Sequence, residues 1–216
     1  APIALGLSDL PYRWSNFYDV TGYTDAYMVD VKTGSKTKIA EKIKGNISIS
    51  PKGKYAFWFS LPDTAWFAYD VAGNKTKSLT KTLPVSFADE EDDHPDYPSG
   101  YGFAGWLEND TRFLVYDRYD IWSVDPQGNT PAVNLTKVGR TQKITFRNVW
   151  LNREEKFIKP DANLLLSSFD EQTKTAQYYS YSLKTGELKK LTSGNYRYAG
   201  VTKALNSDNI LFTRES

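Results

Sequence analysis

The chain has 216 residues, enough for one domain or two small ones that bury about 70% of the unfolded surface. Its 27 basic and 26 acidic residues leave a net charge of +1, so no long-range field favours nucleic acid or a membrane surface, and neither is an expected partner. The absence of cysteine excludes a disulfide framework and a thiolate metal site, and no uncharged apolar run approaches the roughly 18 residues of a membrane span.

Aromatic residues make up 15% of the chain, with fifteen Tyr and six Trp against one Met, a balance that favours strands. Residues 1–24 carry short apolar fragments broken by Pro2, Gly6, Pro11 and Gly22, and read as an irregular lead-in with room for one strand. The first aromatic hairpin spans 25–40, running from Tyr27-Met28-Val29-Asp30-Val31 through Lys32-Thr33-Gly34 to Lys38-Ile39. A different hairpin follows: Ile47-Ser48-Ile49, the reversal Ser50-Pro51-Lys52-Gly53-Lys54, then Tyr55-Ala56-Phe57-Trp58-Phe59. Pro51 presets φ and Gly53 accepts a positive φ, so the reversal has a mechanism. Phe57-Trp58-Phe59 is apolar on both faces, as in a strand covered on both sides. A second aromatic hairpin, from Trp66 through Ala72-Gly73-Asn74 to Leu79-Thr80, completes four strands in succession.

Both hairpin kinds recur. Gly105-Trp106-Leu107 and Thr111 to Tyr116 precede Ile121-Trp122, the turn Asp125-Pro126-Gln127-Gly128-Asn129 and the ending Leu135-Thr136. Phe146 to Leu151 and Asn163 to Phe169, with an insertion at 152–162, precede Tyr179-Ser180-Tyr181, Lys184-Thr185-Gly186 and Leu191-Thr192. Val201 to Ala204, a turn at 206–209 and Ile210 to Thr213 give the inner hairpin once more. The turn glycines 34, 73, 128 and 186 lie 39, 55 and 58 residues apart, near the 40 to 50 of a propeller blade once insertions are allowed for. The expected fold is therefore all-β, a β-propeller of four-stranded antiparallel blades forming one domain or fragment over 1–216. Whole blades fall at about 46–80, 103–136 and 144–192, with half-blades at 25–40 and 196–214. Two completions are open. The last strands pair with the first and close a four-bladed ring, or the chain is part of a larger propeller whose open edges invite a second copy.

Several stretches carry a family resemblance. The Ser50-Pro51-Lys52-Gly53-Lys54 turn and the aspartate-terminated aromatic strands resemble the propellers of prolyl oligopeptidase-type serine peptidases and of TolB-like proteins. Asp89-Glu90-Glu91-Asp92-Asp93-His94-Pro95, Ser99-Gly100-Tyr101-Gly102 and Tyr116-Asp117-Arg118-Tyr119-Asp120-Ile121-Trp122 resemble the N-terminal propeller of large bacterial members of that peptidase family, of dipeptidyl-peptidase or acylaminoacyl-peptidase type. The resemblance implies a C-terminal α/β-hydrolase domain as partner, carrying the serine on a G-x-S-x-G elbow, a peptide substrate, and a periplasmic or secreted setting. It implies no cofactor. No G-x-S-x-G occurs in these residues and the one histidine is His94, so no catalytic residue is expected among them.

The stretch with chemical potential is 88–101. Six of the eight residues from Asp89 to Asp96 are carboxylates, whose repulsion needs solvent, cations or protons to relieve it. Dipeptidyl-peptidase relatives hold a peptide's N-terminal amine on a propeller glutamate pair, which makes Glu90, Glu91, Asp92 and His94 the candidate substrate-binding residues by resemblance. A calcium site lacks the EF-hand spacing, so no metal is expected. A solvated loop or a surface that docks the hydrolase domain remains the plain alternative. Asp117, Arg118 and Asp120 read as a charged cluster that orders the turn before Trp122, and Lys32, Lys36, Lys38, Lys42 and Lys44 as strand-edge lysines that block pairing. Beside the peptidase propeller stand two other functions: a stand-alone TolB-like protein-binding module, and a sugar-binding or glycosidase propeller with paired carboxylates at its channel mouth.

Overall fold

The computed structural model describes residues 3–152, 154–207 and 209–216. Ala1 and Pro2 of the lead-in, Arg153 of the insertion and Asp208 of the last turn lie outside them. The chain divides into two compact units: Ala1–Tyr101 with Asn109–Arg112 and Val124–Ala132, and Gly102–Glu108 with Phe113–Ser123 and Val133–Ser216.

In the first unit, β1 (Ile3–Ser8), β2 (Tyr23–Asp30) and β3 (Lys36–Lys44) form an antiparallel sheet in that order. β4 (Ile47–Ile49), β5 (Tyr55–Ser60), β6 (Ala65–Asp70) and β7 (Lys75–Ser78) follow as a four-stranded meander. Every residue of β5 is buried, as the two-faced apolar pattern predicts. Gly53 adopts φ 72° and its N–H closes the reversal on Ser50 O at 2.8 Å. Ala26, Met28 and Ile39 alternate inward and meet Ile47, Ala56 and Trp58 in one core, against which Ile3 and Leu5 also pack.

The second unit holds a meander of β8 (Phe103–Trp106), β9 (Phe113–Tyr116), β10 (Ile121–Val124, whose last residue groups with the first unit) and β11 (Val133–Asn134). It continues with β12 (Ile144–Asn148), β13 (Asn163–Asp170), β14 (Ala176–Ser182) and β15 (Leu188–Lys190), again a meander. Phe113, Leu114 and Val115 are fully buried, and the Trp106 ring stacks on Phe113 at 4.5 Å. The closing hairpin, β16 (Arg197–Lys203) and β17 (Ile210–Glu215), joins β14 through the single parallel pair Ala176↔Arg197.

A repeated latch explains the Leu-Thr endings. Trp66, Ile121 and Tyr178 each donate a backbone N–H to a threonine hydroxyl, of Thr80, Thr136 and Thr192, at 2.9, 3.1 and 2.9 Å. The preceding leucines return the bond: Leu79, Leu135 and Leu191 donate to the carbonyls of those same three residues. Each outer strand is thus pinned where regular pairing ends.

The first hairpin is not an outer pair without inner neighbours, as its sequence suggests. The lead-in supplies β1, paired along β2 from Ile3↔Asp30 to Ser8↔Asp25. With β1 on one side and β3 on the other, both edges of β2 are paired.

Candidate functional site

The acidic segment is a loop pinned at both ends. Ala88 and Gly100 form an isolated antiparallel bridge, and Asp89 N donates to Ser99 O at 2.8 Å. The Tyr101 hydroxyl stands inside the loop, donating to Asp89 Oδ1 at 3.2 Å and accepting Glu90 N–H at 2.7 Å. Burial and the nearby Asp89 carboxylate push its pKa up to about 12, so it remains a donor across the ordinary pH range. Asp89 Oδ1 also accepts Glu91 N–H at 3.0 Å, fixing the main chain under both glutamates while their side chains stay exposed.

Further along, Asp92 Oδ1 accepts His94 N–H at 2.9 Å and lies 2.8 Å from His94 Nδ1. Both bonds hold the Asp92 carboxyl below its usual range. The structure therefore splits the four sequence candidates into two pairs, Glu90 with Glu91 over Tyr101, and Asp92 with His94 in contact. Asp92, Asp93 and His94 bring one ligand atom each within 4.8 Å of one another, yet Asp93 and His94 stand open to solvent and nothing else there points to an ion.

The loop's far end is tied by a residue that sequence reasoning places elsewhere. Lys44 is not an exposed edge lysine: it is buried, and its Nζ lies 2.9 Å from Asp19 Oδ1 and 3.0 Å from Asp96 Oδ1. The Asp19 carboxylate first, then Asp96, raise its pKa against the opposing cost of burial, so it stays charged. Part of the carboxylate repulsion is thus relieved by an ammonium rather than by solvent alone.

Lys38, exposed on the edge strand β3, also reaches Asp25, at 2.7 Å. Asp25 also accepts from the Tyr12 hydroxyl at 2.6 Å and from Lys42 N–H at 3.1 Å. Burial raises its pKa, but these three donors outweigh burial and hold it down at about 2. A depressed folded pKa contributes stability that is complete above the ordinary aspartate value of about 3.9 and is lost as pH falls through about 2. Thermal melts of the protein and of Asp25→Asn should therefore differ most above about pH 4 and converge towards about pH 2. A gap that stays constant through that window would show that Asp25 ionisation contributes nothing.

Asp117 and Asp120 do order the turn before Trp122. Asp117 Oδ1 accepts Tyr119 and Asp120 N–H at 2.7 and 2.6 Å, and its Oδ2 accepts Trp122 Nε1–H at 3.1 Å. Arg118 instead reaches Glu171 at 2.8 Å, a partner 53 residues away.

Strand order and register define the class: an all-β chain of antiparallel four-stranded meanders, the blade unit of β-propellers. No protein-family model and no curated protein matches it. Similar solved structures include TolB from Acinetobacter baumannii, 15% identical over 97% of this chain and 46% of that one, with a TM-score of 0.44. A prolyl endopeptidase is 12% identical over 89% of this chain and 29% of its own, at 0.49. Dipeptidyl peptidase 4 of Porphyromonas gingivalis is 13% identical over 85% and 38%, at 0.35. The chain spans less than half the length of each of the three.

Proposed function

We propose that these sheets are the non-catalytic propeller portion of a periplasmic or secreted prolyl oligopeptidase-type serine peptidase, and that they gate or dock short peptides for a C-terminal α/β-hydrolase domain. The observation that carries this reading is the glutamate pair. Glu90 and Glu91 present exposed carboxylates from a main chain fixed by Tyr101 and Asp89, which suits capture of a substrate's N-terminal amine. Asp92 and His94 line the same loop and would limit which side chain the peptide carries beside that amine.

Calorimetric titration with dipeptide amides tests it. Free-amine peptides should bind about tenfold tighter than their N-acetyl counterparts, and Glu90→Gln with Glu91→Gln should remove that preference. The purified chain should hydrolyse neither prolyl nor aminoacyl substrates. Equal binding of acetylated peptides, or turnover by the chain that a serine reagent stops, sinks the reading.

A stand-alone TolB-like binding propeller is the second reading, favoured by the aromatic side chains exposed over Trp14 to Tyr18. A native gene product that continues into a G-x-S-x-G elbow would decide for the first. Either way, β17 is exposed throughout and among the described residues pairs with β16 alone, an edge that favours association with a second copy.

A further inference from the structure

The insertion between β12 and β13 is strapped to a strand of the preceding meander. The Trp150 indole N–H donates to Ala104 O at 3.0 Å, and Ile158 pairs in parallel with Leu107. Ile158 N–H donates to Trp106 O and its carbonyl accepts Glu108 N–H, both at 2.8 Å. Gly105 makes room for the strap, because a Cβ there would lie 2.8 Å from Trp150 Cζ2. With the segment held on β8 at Trp150 and Ile158, a cleft of about 840 Å³ opens between it, the β12–β13 hairpin and the turn after β16. That volume lies within the roughly 300–1,000 Å³ of small-ligand sites. Walls already in place bind without the cost of ordering them.

The lining selects the occupant. Val149, Leu151, Phe157, Leu165 and Ala204 give it aliphatic and aromatic surface, and Leu205 at its edge is 93% exposed. Glu154, Glu155, Lys156 and Lys159 are exposed along it, two of each sign, while Lys203 Nζ donates to Ser207 O at 2.9 Å. An ionic ligand gains little net attraction from charges so balanced. The polar groups left are the side-chain amides of Asn148 and Asn163, which form no hydrogen bond among the described residues. Each offers N–H donors and a carbonyl acceptor, the complement of a peptide group, whereas a pure hydrocarbon would leave them unpaired. Branched aliphatic walls suit side chains better than they suit a stacked base, which wants aromatic faces.

We propose that this cleft binds a short, uncharged, apolar peptide, its side chains against Phe157, Leu165 and Leu205 and its main chain on the Asn148 and Asn163 amides. The cleft lies wholly in the second unit and uses none of Glu90, Glu91, Asp92 or His94, so it does not rest on the amine-capture reading.

The probe is N-acetyl-phenylalanyl-leucine amide, capped at both ends and titrated calorimetrically into the whole chain. It should bind at least about tenfold tighter than phenylbutanol, which is apolar but carries no amide. Phe157→Ala should weaken the peptide about tenfold or more, the scale of a lost contact in an apolar pocket. Leu205→Ser combined with Asn163→Ala should do the same, and because both side chains are exposed this variant tests the cleft even if Phe157→Ala loosens the strap. Asn163→Ala alone should weaken the peptide and leave phenylbutanol unchanged. No binding of the capped peptide, equal binding by the Leu205→Ser, Asn163→Ala variant, or phenylbutanol bound as tightly as the peptide overturns the proposal. So does a loss of binding in Glu90→Gln with Glu91→Gln, because the peptide then sits on the acidic loop. A capped peptide has no amine to capture, so either reading can fail while the other stands.

Discussion

Replacing Asp120 with alanine should destabilise the second unit by about 3–5 kcal/mol, the cost of removing the acceptor from a buried polar network. Asp120 is buried, and its Oδ1 accepts the Thr136 hydroxyl at 2.6 Å and Gly139 N–H at 2.9 Å, while Oδ2 accepts Arg140 N–H at 3.2 Å. Thr136 is in turn the latch on Ile121 N–H. One carboxyl group therefore fixes the start of β10, the end of its outer partner and the short helix Gly139–Gln142. Alanine leaves three donors without their acceptor, two of them buried and one part-buried, at about 1–3 kcal/mol for each buried one before relaxation. Asparagine keeps one oxygen but turns an NH₂ towards backbone donors, and should cost about half as much. Urea midpoints should rank the protein above Asp120→Asn above Asp120→Ala. An alanine variant within about 0.5 kcal/mol of the parent would mean that the network is relaxed elsewhere.

What is legible in the sequence divides along sequence distance. The latch is visible because Leu79-Thr80, Leu135-Thr136 and Leu191-Thr192 each close a hairpin onto a strand some 14 residues earlier. The Ser50 to Lys54 reversal is visible because proline and glycine constrain φ locally. β1 is legible only as room for one strand in the lead-in: Gly6 interrupts a short apolar run between two prolines, and pairing with β2 fixes where the strand lies. Lys44 misleads for a related reason, since its partners lie 25 residues before it and 52 after, and nothing beside it in sequence announces a carboxylate. The acidic loop is legible as composition, but its anchors, Tyr101 and Lys44, are not. The aromatic residues at 14–18 read as an irregular lead-in because apolar side chains ordinarily go inward. Tyr12 and Asn16 anchor that segment through bonds to Asp25 and Tyr23 that exist only once β2 is formed.

Asp110→Ala should cost the first unit about 3–5 kcal/mol, and here two separable effects add. Asp110, in the turn between Trp106 and Phe113, is buried under the Ser50 to Lys54 reversal. Its carboxyl accepts the Ser50 hydroxyl at 2.6 Å, Lys52 N–H at 3.1 Å and Lys54 N–H at 3.3 Å, and Ser50 Oγ relays the order to Tyr55 N–H at 3.0 Å. The backbone is strained as well, since Asn109 and Asp110 sit at φ 60° and 56°, a left-handed region that costs a residue with a Cβ about 1–2 kcal/mol. Asp and Asn tolerate that region better than Ala, and glycine is free in it. The expected order of stability is therefore parent, Asp110→Asn, Asp110→Gly, Asp110→Ala. The step from glycine to alanine, about 1 kcal/mol, reads the backbone share, and the step from asparagine to glycine reads the lost acceptor less the backbone relief that glycine gains. Equilibrium denaturation of the four proteins gives both steps. If alanine proved as stable as asparagine, the Asp110 bonds would be geometry without energy, and the reversal would owe its shape to Pro51 and Gly53 alone.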